Sequence, residues 1–67
     1  MMDYIYVGSR VNITNFPKGQ FEYEIIGLEF DTLHPGYVGV RLRCVSDPAV
    51  VCNYNISSSF LIPAIVQ

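Results

Sequence analysis

The sequence predicts a small all-β domain, and three features of the chain support this class. No window carries apolar residues at positions i, i+3, i+4 and i+7 over the length of a real helix. Residues with β-branched or aromatic side chains dominate, and these suit a pleated, half-buried surface. Glycines and prolines fall singly at intervals of roughly ten residues, as they do between short strands and tight turns. The 67 residues predict a single domain, residues 1–67.

The first two predicted strands are Arg10 to Phe16 and Phe21 to Asp31, with a turn at residues 17–19 between them. The second strand carries its apolar residues at odd positions and then at even positions: Phe21, Tyr23 and Ile25, followed by Ile26, Leu28 and Phe30. A β-bulge near residues 25–27 would keep both sets on one face, pointing inward, and would bend the strand. Such a bend curls a small sheet into a barrel.

The third and fourth predicted strands, Tyr37 to Val45 and Val50 to Ile56, form a hairpin around a turn at residues 46–49. Their inward residues would be Val38, Val40, Leu42 and Cys44 on the third strand, and Val50, Cys52, Tyr54 and Ile56 on the fourth. Serines 57–59 favour one short 3₁₀ turn. The fifth strand, Phe60 to Val66, lies at an edge or a bulge because Pro63 cannot donate to a ladder.

The order of these segments resembles a known fold family. A strand after "VGSRVNI" is followed by a bent "YEIIGLEF" strand, then by the "GYVGVRLRCV" and "VVCNYNI" hairpin, and then by "SSSFLIPA". This order is similar to SH3-like small barrels of the kind that includes KOW-type modules, and the similarity covers nearly the whole chain. It implies a five-stranded SH3-like barrel with a short 3₁₀ turn before the last strand. Fold similarity of this kind does not confer a function.

Composition and net charge limit the kinds of partner that the chain is expected to bind. Four basic and six acidic residues give a net charge of −2, far from the positive balance that nucleic-acid and anionic-membrane binders use. Apolar residues make up 51% of the chain and charged residues 15%. Because a chain this short has a high ratio of surface to volume, part of the apolar surplus should remain exposed. The sequence therefore predicts an apolar patch that contacts a protein partner or a second copy.

The two ends of the sequence predict neither export nor membrane insertion. The start, "MMDYIYVG", has an acid where a signal peptide needs basic residues, and it lacks the apolar region and the cleavage site. Residues 48–67 carry no charge over about the length of a membrane span, but they include two prolines, two asparagines and three consecutive serines. We therefore expect a cytoplasmic protein without a membrane segment.

Asp31 and His34 are the first candidates for chemistry, because an acid beside an imidazole is typical of general acid–base and metal sites. Their context favours a turn. Asp31 follows a strand and suits an Asx-type turn, and His34 is followed by Pro35 and Gly36. The sequence has no second histidine and no clustered carboxylates to complete a metal shell. We expect a strand connection, with a surface contact of His34 as the alternative, and predict no catalytic residues, no metal and no cofactor.

Cys44 and Cys52 are the only cysteines of the chain. The predicted hairpin would place them on the inner face, directly across from one another, at a separation that a disulfide can bridge. In a cytoplasmic protein, two inward thiols more often act as small reduced core residues. The reduced pair is the leading interpretation, and a disulfide or a metal site remains the alternative.

Arg41 and Arg43 alternate on the outer face of the third predicted strand, which begins at Tyr37. A basic stripe beside an aromatic ring could follow a nucleic-acid backbone. The competing interpretation is a cross-strand ion pair, because a bulge at residues 25–26 would place Glu24 opposite Arg43, with Glu22 nearby. The paired, solvated face is favoured.

Aromatic residues are numerous for so short a chain, at 13%. Phe21, Phe30, Tyr23 and Tyr54 lie on the predicted inward phase. The pattern assigns no inward position to four other aromatic residues: Tyr4, Tyr6, Phe16 and Tyr37. Aromatic residues at a protein surface are common anchors of protein interfaces. Closure of the barrel by the N-terminal segment is the competing account.

These observations predict a small, non-enzymatic protein-interaction module. It would be an accessory or inhibitory factor, of a phage or plasmid type, that docks on a larger protein or self-associates through exposed aromatic and aliphatic surface. The candidate partner-binding residues are Tyr4, Tyr6, Phe16, Tyr37, Arg41 and Arg43. The alternative is a KOW-like module that binds nucleic acid through Arg41, Arg43 and Tyr37.

Overall fold

A computed structural model describes residues 5–13 and 22–64 of the chain. The described residues form five strands and one 3₁₀ turn (η1), in the predicted order and with no α-helix. The strands and the turn are β1 (Arg10–Ile13), β2 (Glu22–Phe30), β3 (Tyr37–Cys44), β4 (Val51–Ser57), η1 (Ser58–Phe60) and β5 (Leu61–Pro63). The all-β class and the 3₁₀ turn before the last strand are confirmed.

All five strands belong to one antiparallel sheet with the order β4-β3-β2-β1-β5. β1 is paired on both sides, with β2 and with β5. Among the described residues, β4 pairs only with β3 and β5 only with β1, so the sheet has two edges. The predicted closure into a barrel is therefore wrong for the hydrogen-bonded sheet, which remains open.

The bulge predicted in β2 lies where the apolar parity changes. Ile25 is opposite Leu42, whereas Gly27 is opposite Arg41, so Ile26 is the extra residue of β2. Tyr23 and Ile25 before the bulge are buried, and Leu28 after it packs against the same core. The extra residue therefore lets one face of β2 remain apolar on both sides of the bend.

The core lies on the inner face of the bent sheet. Val38, Val40, Leu42 and Cys44 of β3 are all buried, as their alternation predicts. Val11 and Ile13 of β1 and Leu61 of β5 belong to the same cluster. On β4, Tyr54 and Ile56 pack against this core, and Cys52 is half-buried. The bend thus brings the two ends of the sheet over a common interior.

Two residues predicted to be inward are exposed. Phe30 is 62% exposed, because β1 covers only the Glu22–Glu24 end of β2 and leaves the last residues before the turn uncovered. Val50 is 43% exposed, because it belongs to the turn before β4 and not to the strand. The alternation of apolar and polar residues identified the face of the sheet on which each residue lies. It did not show how far the neighbouring strands extend over that face.

The N-terminal residues 5–9 run beside the middle of β2. Gly8 N donates to Ile25 O at 2.8 Å, and Ile25 N donates to Ser9 O at 2.9 Å. Gly8 has φ of +99°, a left-handed conformation that favours glycine, and it forms part of the tight turn before Ser9. This turn places Ile5 in the core and leaves Tyr6 exposed, so the segment contributes to the interior through Ile5.

Within residues 5–13 and 22–64, no helix has the length and apolar character needed to cross a membrane. Several predicted features lie outside these ranges: Tyr4, Phe16, Phe21, the turn at residues 17–19 and the end of the fifth predicted strand.

Candidate docking surface

The connection between β2 and β3 is a hydrogen-bonded turn, as the sequence predicts. The carboxylate of Asp31 accepts from the backbone N–H groups of Leu33, at 3.0 Å, and of His34, at 3.2 Å. Tyr37 N donates to His34 O at 3.0 Å, and Asp31 N donates to Tyr37 O at 3.2 Å. Gly36 has φ of +88°, which a residue with a Cβ rarely adopts. The Asp31 side chain therefore stabilises an Asx-type turn.

His34 is held against Asp31 but has solvent on its other side. His34 Nδ1 lies 3.1 Å from Asp31 Oδ2, and the imidazole side chain is 70% exposed. Its ring meets the ring of Tyr37 edge to face, with centroids 6.4 Å apart. Desolvation acts to raise the pKa of Asp31, but hydrogen bonds from His34, the Leu33 amide and Asn55 outweigh it and lower the pKa below its ordinary value.

The lowered pKa of Asp31 predicts a contribution to acid denaturation. A carboxyl group whose pKa is depressed by folding stabilises the native state above its unfolded pKa, and this contribution is lost as pH falls through the folded pKa. Urea denaturation between pH 7 and pH 2 should therefore show a smaller acid-induced loss in Asp31→Asn than in the wild type. The Asn amide oxygen still accepts the turn's hydrogen bonds. Asp47→Asn controls for net charge, and equal acid sensitivity of Asp31→Asn and the wild type would contradict the assignment.

Four large apolar side chains are exposed at this end of the sheet, and we call them the hairpin-end patch: Phe30, Leu33, Tyr37 and Phe60. They are 62%, 84%, 47% and 39% exposed, respectively. The Asp31–Tyr37 hydrogen bond closes the hairpin between Phe30 and Tyr37, and Ser58 N donates to Gly36 O at 2.7 Å, which holds η1 and Phe60 at the same end. Phe30 lies opposite the buried Val38 and so is on the inner face, whereas Tyr37 is on the outer face, so the patch extends around the end of the hairpin. Exposed apolar side chains at one end of a small domain are candidates for an interaction surface.

The two arginines of β3 differ in their surroundings. Arg43 lies opposite Glu24, and Arg43 Nη2 is 3.4 Å from Glu24 Oε1, as the predicted bulge requires. Arg10 also lies opposite Glu24, but its Nη1 is 3.3 Å from Oε2 of Glu22, the diagonal neighbour on β2. Arg41 is exposed and lies between Gly27 of β2 and Asn53 of β4. The predicted cross-strand ion pair is confirmed, and it offsets much of the positive charge on this face.

Two shallow depressions cross the outer face of β2, β3 and β4. One, of about 340 Å³, is lined by Phe30 and Leu33 of the hairpin-end patch together with Asp31, Gly39 and Asn55. The other, of about 330 Å³, is lined by Gly27, Arg41, Asn53 and Tyr54, among others. Gly27 and Gly39 contribute no side chains to this face, which creates the depressions. Among the described residues, no group of three or more His, Cys, Asp or Glu side chains could hold a metal ion.

Cys44 and Cys52 are both free thiols; Cys44 is buried in the core, whereas Cys52 is half-buried. The prediction that they lie directly opposite one another is wrong. Cys52 is opposite Leu42, whereas Cys44 N donates to Val50 O at 3.0 Å, so the pairing is offset by two residues along β4. The Ser46 hydroxyl, 3.3 Å from Cys44 Sγ, lowers the pKa of the Cys44 thiol, although desolvation acts in the opposite direction.

The candidate residues lie in separate regions. Tyr37 is part of the hairpin-end patch, whereas Tyr6 is 55% exposed beside the middle of β2. Arg41 and Arg43 share the outer face of β3 with Tyr37. Tyr4 and Phe16 lie outside the described residues. Sequence reasoning missed Leu33, Phe30 and Phe60 as surface residues. An apolar residue inside the polar turn "DTLHPG" was the available signal for Leu33.

The chain matches no protein-family model, and no curated protein or solved structure is significantly similar to it.

Proposed function

We propose that this protein is a non-enzymatic protein-interaction module that docks through its hairpin-end patch. The observation that carries the proposal is the exposure of Phe30, Leu33, Tyr37 and Phe60 at one end of a sheet whose core is otherwise well covered. Aromatic side chains are enriched at the centre of protein interfaces, where a few residues supply most of the binding energy. The partner is a larger protein or another copy of the chain, as for an accessory or inhibitory factor of a phage or plasmid type acting in the cytoplasm.

The SH3-like assignment remains part of this proposal. The strand order with β5 beside β1, the bent β2 and the 3₁₀ turn before β5 support it. The open sheet distinguishes this chain from a closed barrel of that type. An SH3-like scaffold is compatible with docking because its loops and hairpin ends project from a rigid sheet.

The rigidity of the patch also favours a docking role. The carboxylate of Asp31 accepts a hydrogen bond from the Leu33 backbone N–H. The hairpin is closed by the hydrogen bonds from Asp31 N to Tyr37 O and from Tyr37 N to His34 O. Because these side chains project from a fixed turn, binding would cost little for ordering the backbone beneath them. Two charged residues, Glu29 and Asp31, line the depression beside the patch, and Asp31 is already engaged by His34.

A test compares the wild type with Phe30→Ser plus Leu33→Ser. Both side chains are more than half exposed, so we expect the variant to stay folded, with each substitution changing stability by less than about 1 kcal/mol. A hydrophobic dye should bind the variant less strongly. A photo-crosslinking residue at position 33 should capture a defined protein in the native cell, and the same residue at position 47 should not.

Val7→Ser is the matched control, because Val7 is 60% exposed but lies in the N-terminal segment and not in the patch. It should leave dye binding and the cross-linked product unchanged. Equal dye binding by the wild type and the double variant, together with no product at position 33, would refute docking at this surface.

A nucleic-acid role is the second candidate, and the exposed Arg41 on the outer face favours it. Arg41 is not part of any ion pair formed by the described residues, and Asn53 and Tyr54 line the same depression. This candidate predicts a gel shift of RNA or DNA that weakens steeply with salt and is lost in Arg41→Ala plus Arg43→Ala. The docking proposal predicts that nucleic-acid mobility does not change even at low salt.

A further inference from the structure

The two edges of the sheet differ in how well they resist pairing with another strand. β5 is three residues long and ends in Pro63. Ala64 N donates to Arg10 O, and in an antiparallel ladder neighbouring residues alternate, so the nitrogen of Pro63 lies on the free side of β5. A proline at that position removes the donor that an added strand would need. This edge is protected in the way that natural sheets commonly use.

β4 has none of these protections. It is seven residues long, Val51–Ser57, and contains no charge and no proline. Val50 O accepts from Cys44 N, and Ser58 N donates to Gly36 O, so the even-numbered residues of β4 direct their backbone groups toward β3. The odd-numbered residues, Val51, Asn53, Asn55 and Ser57, therefore direct their N–H and C=O groups away from the sheet. These free N–H and C=O groups can therefore form a ladder with another extended strand.

We propose that β4 pairs with β4 of a second copy of this chain, antiparallel about a two-fold axis at Tyr54. In this register Val51 lies opposite Ser57 of the second copy, and Asn53 lies opposite Asn55. All four residues with outward backbone groups are then used in hydrogen-bonded pairs. Tyr54 faces Tyr54 of the second copy on the inner face, and Cys52 faces Ile56.

The side chains of β4 are complementary to themselves in this register. The outer face joins the amides of Asn53 and Asn55, which can donate and accept across the strands. The inner face joins Tyr54, Cys52 and Ile56, which are only partly covered by their own core. The strand carries no charge, so two copies meet without like-charge repulsion. An uncharged strand also offers no charge pattern by which a different partner would be selected.

The protected β5 edge opposes further pairing at the two ends of the joined sheet. The joined sheet would have β5 at both of its ends, and Pro63 blocks each of them. An isologous contact of this kind forms a closed dimer, whereas a second open edge would permit continued growth. This inference goes beyond the hairpin-end patch and uses the backbone edge of β4, of which only Asn55 also lines the depression beside the patch.

The test uses sedimentation equilibrium of the full chain over a wide concentration range. We expect a reversible dimer for the wild type. Asn53→Lys plus Asn55→Lys places lysines opposite lysines in the second copy and should weaken dimerisation at least about tenfold. Asn53→Lys plus Asn55→Asp places a lysine at position 53 opposite an aspartate at position 55 of the second copy, and it should dimerise as tightly as the wild type. Both variants carry the same new lysine beside Arg41, and both lose the side-chain hydrogen bond between Asn55 and Asp31. At position 55 a lysine attracts Asp31 and an aspartate repels it, which is opposite to the order expected for dimerisation, so this contact does not explain a weaker Lys/Lys dimer.

A proline substitution and amide hydrogen exchange provide independent readouts. Asn53→Pro removes an outward N–H, and it should abolish the dimer while the monomer stays folded by circular dichroism. In the wild type, the amides of Asn53 and Asn55 should become protected as concentration rises, whereas the amides of Tyr54 and Ile56 should be protected at all concentrations. A wild type that stays monomeric, or equal weakening in the Lys/Lys and Lys/Asp variants, would overturn the proposal.

The two proposals can fail separately. Phe30→Ser plus Leu33→Ser should leave the dimer intact, and Asn53→Pro, at a position outside the depression beside the patch, should leave the cross-link at position 33 intact. Loss of the dimer in the patch variant would overturn the β4 contact as the site of pairing.

Discussion

Leu42→Ala should greatly reduce the free energy of unfolding and move the urea transition to a much lower concentration. Leu42 is fully buried, and its neighbours across the two adjoining strands are Ile25, also fully buried, and Cys52. Truncating a buried leucine to alanine costs about 2–5 kcal/mol, because it removes apolar contacts and leaves a cavity. A domain of this size lies near the lower end of the usual range of about 5–15 kcal/mol for total stability. One substitution therefore removes a large part of the total free energy of unfolding.

The measurement is urea denaturation followed by circular dichroism at neutral pH. Leu33→Ala is the matched control, since it makes the same chemical change at a side chain that is 84% exposed. It should change the free energy of unfolding by less than about 0.5 kcal/mol. If the two variants unfolded at the same urea concentration, the assignment of Leu42 to the centre of the core would be wrong.

The strand pattern could be predicted because alternation carries most of the information in a half-buried sheet. Val38, Val40, Leu42 and Cys44 alternate with Gly39, Arg41 and Arg43, and each set occupies one face of β3. The parity change at Ile25 and Ile26 located the bulge, because the apolar residues of β2 could share one face only with an added residue. The Glu24–Arg43 ion pair followed from that register.

The register of the β3–β4 hairpin could not be predicted, because the turn decides it. Val50 N donates to Asp47 O at 2.9 Å, and Cys44 N donates to Val50 O. These bonds place Val50, and not Cys52, beside Cys44. Both registers keep the cysteines on the inner face, so the apolar pattern fits either of them.

The hairpin-end patch was only partly visible in the sequence. Tyr37 was identified as a surface aromatic because it precedes the apolar alternation of β3. Phe30 has the correct parity for the core, but β1 is paired with β2 only at the far end, so nothing among the described residues buries it fully. The extent of one strand over another is a tertiary property that a local pattern does not carry.

The bulge in β2 is the feature on which the shared core depends. Val11 of β1 and Leu61 of β5 belong to the same buried cluster as Val38 and Val40 of β3. In the sheet order β4-β3-β2-β1-β5, β2 separates these groups, so a flat sheet would hold them apart on its surface. The bend at Ile26 allows the β1–β5 end to fold over β3.

Deletion of Ile26 should therefore destabilise the protein much more than its truncation does. The deletion converts β2 into an uninterrupted partner of β3 without moving any side chain to the other face, because Gly27 would then follow Ile25 and still lie opposite Arg41. The bend is lost, and Val11 and Leu61 lose their cover. Since burying one such side chain contributes about 1.5–3 kcal/mol, losing both should cost several kcal/mol and unfold most of the chain.

Ile26→Ala distinguishes the contribution of the bend from that of the Ile26 side chain. It keeps the extra residue in β2 and removes only a half-buried group. Its cost should be about 1–2 kcal/mol, below that of a fully buried isoleucine. Urea denaturation of the two variants measures the difference. A deletion no more destabilising than Ile26→Ala would mean that the sheet curls without its bulge, through the twist of its strands alone. The larger loss is expected, because strand twist rotates neighbouring strands gradually, whereas the cover of Val11 and Leu61 requires a sharp turn within a single strand.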